Sequence, residues 1–171
     1  MRERGVMFVH IAPAKLEGAI RRSGLKPGET MFEGAPIGIY AFPVLPSHTL
    51  THQWTREVLK WRRQPLIGVY FRAPDDEIVR FGHFNHAVLQ LKARQAADAV
   101  RRAPDPRGFE VILDGPIAPR AIHRIAPVRG VIGWRHFPDA HRRKPCGCPA
   151  CVRPGEPGGR KLRERYERGE P

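Results

Sequence analysis

Short β-favouring runs alternate with stretches of helical periodicity along most of this chain. Val6-Met7-Phe8-Val9-His10-Ile11 is the first such run and carries a histidine near its end, which reads as a strand. Pro13 then suits a first helical turn, and Ala14 to Ser23 puts Leu16, Ala19 and Ile20 on one face before Gly24 stops the helix. After a polar loop from Lys26 to Ala35, Gly38-Ile39-Tyr40-Ala41-Phe42 predicts a second strand closed by Pro43 and Pro46. Ser47 is placed to cap a helix running to about Arg63, with Leu50, Trp54, Val58 and Trp61 at near-helical spacing and both tryptophans facing the core. Leu66 to Phe71 and Glu77 to Phe84 read as strands joined in a hairpin by Pro74-Asp75-Asp76. Leu91 to Arg102 is rich in helix formers and ends at Pro104.

The most informative run is Gly108-Phe109-Glu110-Val111-Ile112-Leu113, with Asp114-Gly115-Pro116 behind it. Val111 to Leu113 is apolar without alternation and too short for a helix, so it predicts a strand buried on both faces that ends in a tight turn. A charged carboxylate is costly to bury without a partner. Glu110 is therefore expected either in solvent at the strand end or facing a polar cleft. Ala121 to Val128 reads as the last long strand, extending towards Trp134. The order β-α-β-α-β-β-α-β-β lacks the regular alternation of a doubly wound sheet, so an α+β protein with a curved, largely antiparallel sheet and peripheral helices is expected.

Composition narrows the partners. The chain has 171 residues, enough for one domain with an appendage, and its 18 Pro and 17 Gly indicate long loops. A net charge of +13 suits DNA, RNA or another polyanion, although an arginine-rich composition alone produces the same excess. No apolar run approaches the ~18 residues of a membrane span, and no signal peptide is evident, so a cytoplasmic protein without membrane contact is expected.

The basic end reads as a separate extension, with the main domain over residues 1–133 and a Pro/Gly-rich tail over residues 134–171. That tail holds ten Lys/Arg and five Asp/Glu. All three cysteines fall within Cys146-Gly147-Cys148-Pro149-Ala150-Cys151, with His136 and His141 upstream. Such clustering argues against a disulfide framework. Three thiolates can converge on one zinc ion with a histidine as fourth ligand, His141 being nearer than His136, and a closed Cys₃His set would be structural. Unligated cysteines in a loose tail are the alternative.

Three pieces together resemble the ADP-ribosyltransferase superfamily, in particular its His-Tyr-Glu branch, which includes the poly(ADP-ribose) polymerases and diphtheria-toxin-like enzymes. Phe8-Val9-His10 with its helix and Gly24-Leu25 is similar to the opening strand, helix and Gly-Leu turn; Gly38-Ile39-Tyr40-Ala41 resembles the Gly-x-Tyr strand; Gly108 to Asp114 resembles the glutamate strand. Their order matches over residues 6 to 128. The resemblance implies a split sheet holding NAD in a cleft and a mono-ADP-ribosyltransferase acting on nucleic acid or a nucleic-acid-bound protein. It further implies that His10 bonds a ribose hydroxyl, Tyr40 stacks on the nicotinamide and Glu110 bonds the nicotinamide-side ribose. Where the family usually has a small residue gripping the carboxamide through its backbone, this chain has Ile11, whose backbone is expected to serve. The region after the second motif offers Ser47, His48, Thr51 and Trp54 in place of the usual serine and second aromatic. RNA 2′-phosphotransferases share the fold, and a non-catalytic nucleic-acid-binding module of the same shape is the alternative from another functional class.

Overall fold

The computed structural model describes residues 5–28, 37–61, 64–84, 86–129 and 159–170. Within them, seven strands form one antiparallel sheet: β1 (Gly5–Pro13), β2 (Ile39–Pro43), β3 (Leu66–Pro74), β4 (Ile78–His83), β5 (Leu89–Lys92), β6 (Phe109–Leu113) and β7 (Ile122–Val128). Their spatial order is β5-β4-β6-β2-β1-β3-β7. The helices are α1 (Glu17–Ser23), α2 (His48–Thr51), α3 (Thr55–Trp61), α4 (Ala93–Arg102) and α5 (Gly159–Glu167). The protein is thus α+β with an antiparallel sheet, as its sequence pattern indicates. No helix among the described residues is long and apolar enough to cross a membrane.

Pairing along the sheet is uneven. β1 is in register with β3 from Gly5↔Pro74 to Pro13↔Leu66. It meets β2 only at Phe8↔Pro43 and Val9↔Phe42. Beyond Val9 the two strands part, so the sheet behaves as two halves, β1-β3-β7 and β2-β6-β4-β5, joined by a short seam. The core lies against one face of each half: Phe8, Phe71, Val69, Val79 and Val111 are all fully buried with Ala96, Ala97 and Val100 of α4. Val111, Ile112 and Leu113 have at most 1% of their surface exposed, which bears out the strand buried on both faces.

Several local expectations differ from the fold. The strands read as a hairpin, β3 and β4, do not pair; β3 lies between β1 and β7, and β4 between β5 and β6. The Asp75-Asp76 turn instead crosses from one half to the other, where the amides of Ala93 and Arg94 bond the carbonyls of Glu77 and Asp75. A turn motif specifies a reversal of direction, and which neighbours the two strands take is set by the remaining ladders. The single helix from Ser47 to Arg63 is two helices broken at His52–Trp54, because those three side chains bond to other parts of the chain. Ser47 does cap α2, its Oγ accepting from the Leu50 amide at 3.3 Å. Pro13 ends β1 rather than opening α1, and a 3₁₀ turn at Ala14–Leu16 lies between them. The short β5 had no sequence signal, since Leu89 and Gln90 are exposed at the sheet edge. Arg62, Arg63, Trp134, His136, His141, Cys146, Cys148 and Cys151 lie outside the described residues, as do the side chains of Lys60 and Trp61.

Candidate active site

Of the three polar residues singled out in separate stretches, Tyr40 and Glu110 share a sheet face, and His10 reaches the Tyr40 backbone where β1 and β2 part. His10 follows Val9, the last residue of β1 paired with β2, and is itself paired with Val69 of β3. Its Nδ1 lies 2.7 Å from the backbone carbonyl oxygen of Tyr40. A carbonyl only accepts, so Nδ1 carries the hydrogen and donates, bridging the gap where the ladder has stopped. Burial lowers the His10 pKa below the usual imidazole value, partly offset by that carbonyl. The ring is therefore neutral at pH 7, and its Nε2 retains a lone pair for a hydroxyl donor.

Tyr40 sits in β2 opposite Ile112 of β6, and Ile112 sits opposite Arg80 of β4. Residues directly paired across antiparallel strands project from the same face, as do residues two apart on one strand. Tyr40, Ile112, Arg80 and Glu110 therefore share one face of the sheet. The electrostatics agree. Burial, followed by the negative charge of Glu110, pushes the Tyr40 phenol up to about 12, while the Arg80 charge pulls it down. The phenol remains protonated at any ordinary pH.

Glu110 is the second residue of β6 and pairs with Gly82. It is partly buried, and desolvation raises its pKa to about 7. Its partial burial sets it apart from a carboxylate standing in open solvent at a strand end. Arg80 is braced by Asp114 and by the carbonyl of Ile37. Gly38 allows the chain to pass close over this face, since a Cβ there would collide with the Ile112 side chain and the Leu113 carbonyl. That is a packing reason for the glycine two residues before Tyr40.

The other nominated residues fall into different roles. Ile11 is in β1, paired with Gly68 of β3 and past the point where β1 leaves β2. Thr51 Oγ1 accepts from the Leu45 amide at 3.0 Å and donates to the Leu45 carbonyl at 3.1 Å, so its hydroxyl closes a local turn, as that of Ser47 closes the α2 cap. Trp54 is partly buried against the core and donates from Nε1 to the Phe109 carbonyl at 2.9 Å. His48 is exposed with its ring centroid 4.2 Å from that of His52. His83, at the end of β4, packs edge-on against His86 and Phe109. No group of three potential metal ligands occurs among the described residues.

Sequence reasoning missed Arg80, His52 and Gln53. Arg80 was legible only as a polar residue between Val79 and Phe81, the ordinary alternation of a strand. Gln53 was silent because its principal partners, Pro106 and Gly108, are more than fifty residues away. Compared with known proteins, the chain matches no family model, no curated protein and no solved structure.

Proposed function

We propose that this protein is an NAD-consuming mono-ADP-ribosyltransferase whose acceptor is nucleic acid or a protein bound to it. The observation that supports the reading is that Tyr40 and Glu110, nominated from separate stretches, share one face of the sheet, while His10 donates to the Tyr40 backbone carbonyl beside the seam. The α+β sheet joined by a two-pair seam is what a split-sheet NAD cleft would require.

In this reading the residues divide the work. Neutral His10, held by its Nδ1–H on Tyr40, offers Nε2 to a ribose hydroxyl and orients the sugar. The Tyr40 ring supplies a flat apolar face for the nicotinamide. Glu110 acts on the reacting centre. Cleavage of the glycosidic bond leaves positive charge on the ribose that is absent in neutral sugar, so an ionised carboxylate held beside it favours the transition state over the ground state. A carboxyl with a pKa of about 7 is only half ionised at neutrality. The positive charge of the nicotinamide ring would favour its ionised form on binding. Zinc held by Cys146, Cys148, Cys151 and His141 remains part of the proposal as a structural tie for the tail. The net charge of +13 supports the polyanionic acceptor.

The test is incubation of the pure protein with NAD labelled in its adenylate part, with and without DNA or RNA. Released nicotinamide and label transferred to the nucleic acid or to protein are expected. Failure to bind or cleave NAD under both conditions would overturn the enzymatic reading and leave a binding module.

A further inference from the structure

Three consecutive residues between α2 and α3 connect the two halves of the sheet. His52 and Gln53 are almost completely buried in the short segment between the helices, and Trp54 is partly buried beside them. His52 Nδ1 lies 2.8 Å from the His48 carbonyl and Nε2 lies 2.6 Å from the Tyr70 hydroxyl. The carbonyl requires a hydrogen on Nδ1, so Nε2 accepts from Tyr70, a residue of β3 in the first half. Gln53 reaches the second half. Its Oε1 accepts from the Gly108 amide at 2.6 Å, and its Nε2 donates to the carbonyls of Pro106 at 3.1 Å and Leu50 at 3.2 Å. Trp54 Nε1 donates to the Phe109 carbonyl at 2.9 Å.

Those contacts end one residue short of Glu110. Gly108 has φ 84, a conformation that favours glycine, and its carbonyl accepts from the Phe84 amide at 2.8 Å. The amide of Gly108 and the carbonyl of Phe109 are thus held by two side chains from the segment that also holds Tyr70. The seam itself supplies two residue pairs and a bond of 3.0 Å from the Val44 amide to the Met7 carbonyl, a short junction beside the nine-pair ladder of β1 with β3. A buried amide with three satisfied bonds is costly to disturb, because each lost partner leaves another buried polar group unpaired.

We infer that the His52–Gln53–Trp54 segment is a clasp across the split sheet and that Gln53 is the positioning residue for Glu110, holding the backbone from which the carboxylate is presented to the cleft. This rests on Glu110 being the functional carboxylate. Gln53 has no contact with substrate in this role; it acts through Gly108.

The experiment reads the setting of Glu110 without requiring turnover. In protein carrying ¹³C at the glutamate side-chain carboxyls, Glu110 is assigned by its loss in Glu110→Gln and titrated in wild type, Gln53→Met, Trp54→Phe and Val100→Ala. Tyr40 and Arg80 are the charged or titratable groups that share this face with Glu110, and Tyr40, pushed up to about 12, stays neutral throughout the range. Gln53→Met removes the three side-chain bonds at similar size. Its Glu110 midpoint is expected to fall towards the ordinary carboxylate range by about one pH unit or more, as water reaches a loosened strand start. Val100→Ala, in the α4 core away from the clasp, is expected to lower the melting temperature without moving that midpoint.

An unchanged midpoint in folded Gln53→Met, or an equal shift in Val100→Ala, overturns the inference. If Gln53→Met does not fold, Trp54→Phe decides: it removes one hydrogen bond and keeps an aromatic ring, and a shift of the same sign is expected, whereas none refutes the clasp. NAD cleavage separates the two ideas. If wild type cleaves NAD, Gln53→Met should lower kcat far more than it raises KM. If wild type cleaves none while the titrations shift as described, the enzymatic reading fails and the clasp stands as a structural device.

Discussion

Replacing Glu110 with glutamine should make the protein more stable at alkaline pH while abolishing most of its turnover. Burial disfavours the charged form of the Glu110 carboxyl and pushes its pKa from the ordinary 4.5 up to about 7. Its folded pKa is raised, so between the two values the native state keeps a proton that the unfolded chain has released. Stability therefore falls as pH rises from about 4.5 to about 7, and the loss is complete above 7. A shift of this size corresponds to at most about 3 kcal/mol, and partial exposure with residual screening brings the expectation to about 1–3 kcal/mol. Glu110→Gln keeps the shape and carries no charge, so it escapes the penalty. Its melting temperature should match wild type near pH 4 and exceed it at pH 8, by about 2–4 °C for each kcal/mol in a chain of this size. Thermal unfolding at several pH values measures the difference. In the same preparation NAD should still bind, and turnover should drop by roughly 10²–10³-fold, the usual effect of removing one preorganised electrostatic group. Wild-type turnover should rise with pH through about 7 as the carboxylate forms. A variant no more stable than wild type at pH 8 would refute the buried carboxylate, and a fully active one would remove Glu110 from the mechanism.

Tyr40→Ala removes the proposed stacking face, so NAD affinity measured by calorimetry should weaken by about tenfold or more, a different outcome from the turnover defect of Glu110→Gln. Protein purified without a histidine tag should contain close to one equivalent of zinc by metal analysis, and Cys148→Ser should release it; metal-free wild type with an unchanged melting temperature would contradict the site. Nucleic-acid affinity should fall by roughly 10³-fold or more between 50 and 200 mM salt if six or more phosphates are contacted, and deletion of residues 153–171 should flatten that dependence in a filter-binding assay. Gly108→Ala forces a side chain into a backbone region that favours glycine at φ 84, and chemical denaturation should register a loss of about 1–2 kcal/mol.

Local pattern was sufficient for six of the strands and for the polar residues they carry. Runs such as Val6–Phe8 and Val111–Leu113 carry their apolar character within a few consecutive residues, as buried strands require. Those features are written within a few residues of one another, so sequence alone determined them. Partner choice was not written there. Asp75-Asp76 specifies a turn, yet only the completed ladders place β3 and β4 in opposite halves of the sheet. Trp54 lies at helical spacing, yet the bonds from its turn to Tyr70, Gly108 and Phe109 interrupt the helix. The raised pKa of Glu110 is likewise a tertiary property: a carboxylate two residues into a strand is indistinguishable from any surface glutamate until the rest of the fold buries it. Hydrophobic periodicity reports what a residue's own element requires, while the identity of the element that covers it is settled by contacts made across the whole chain.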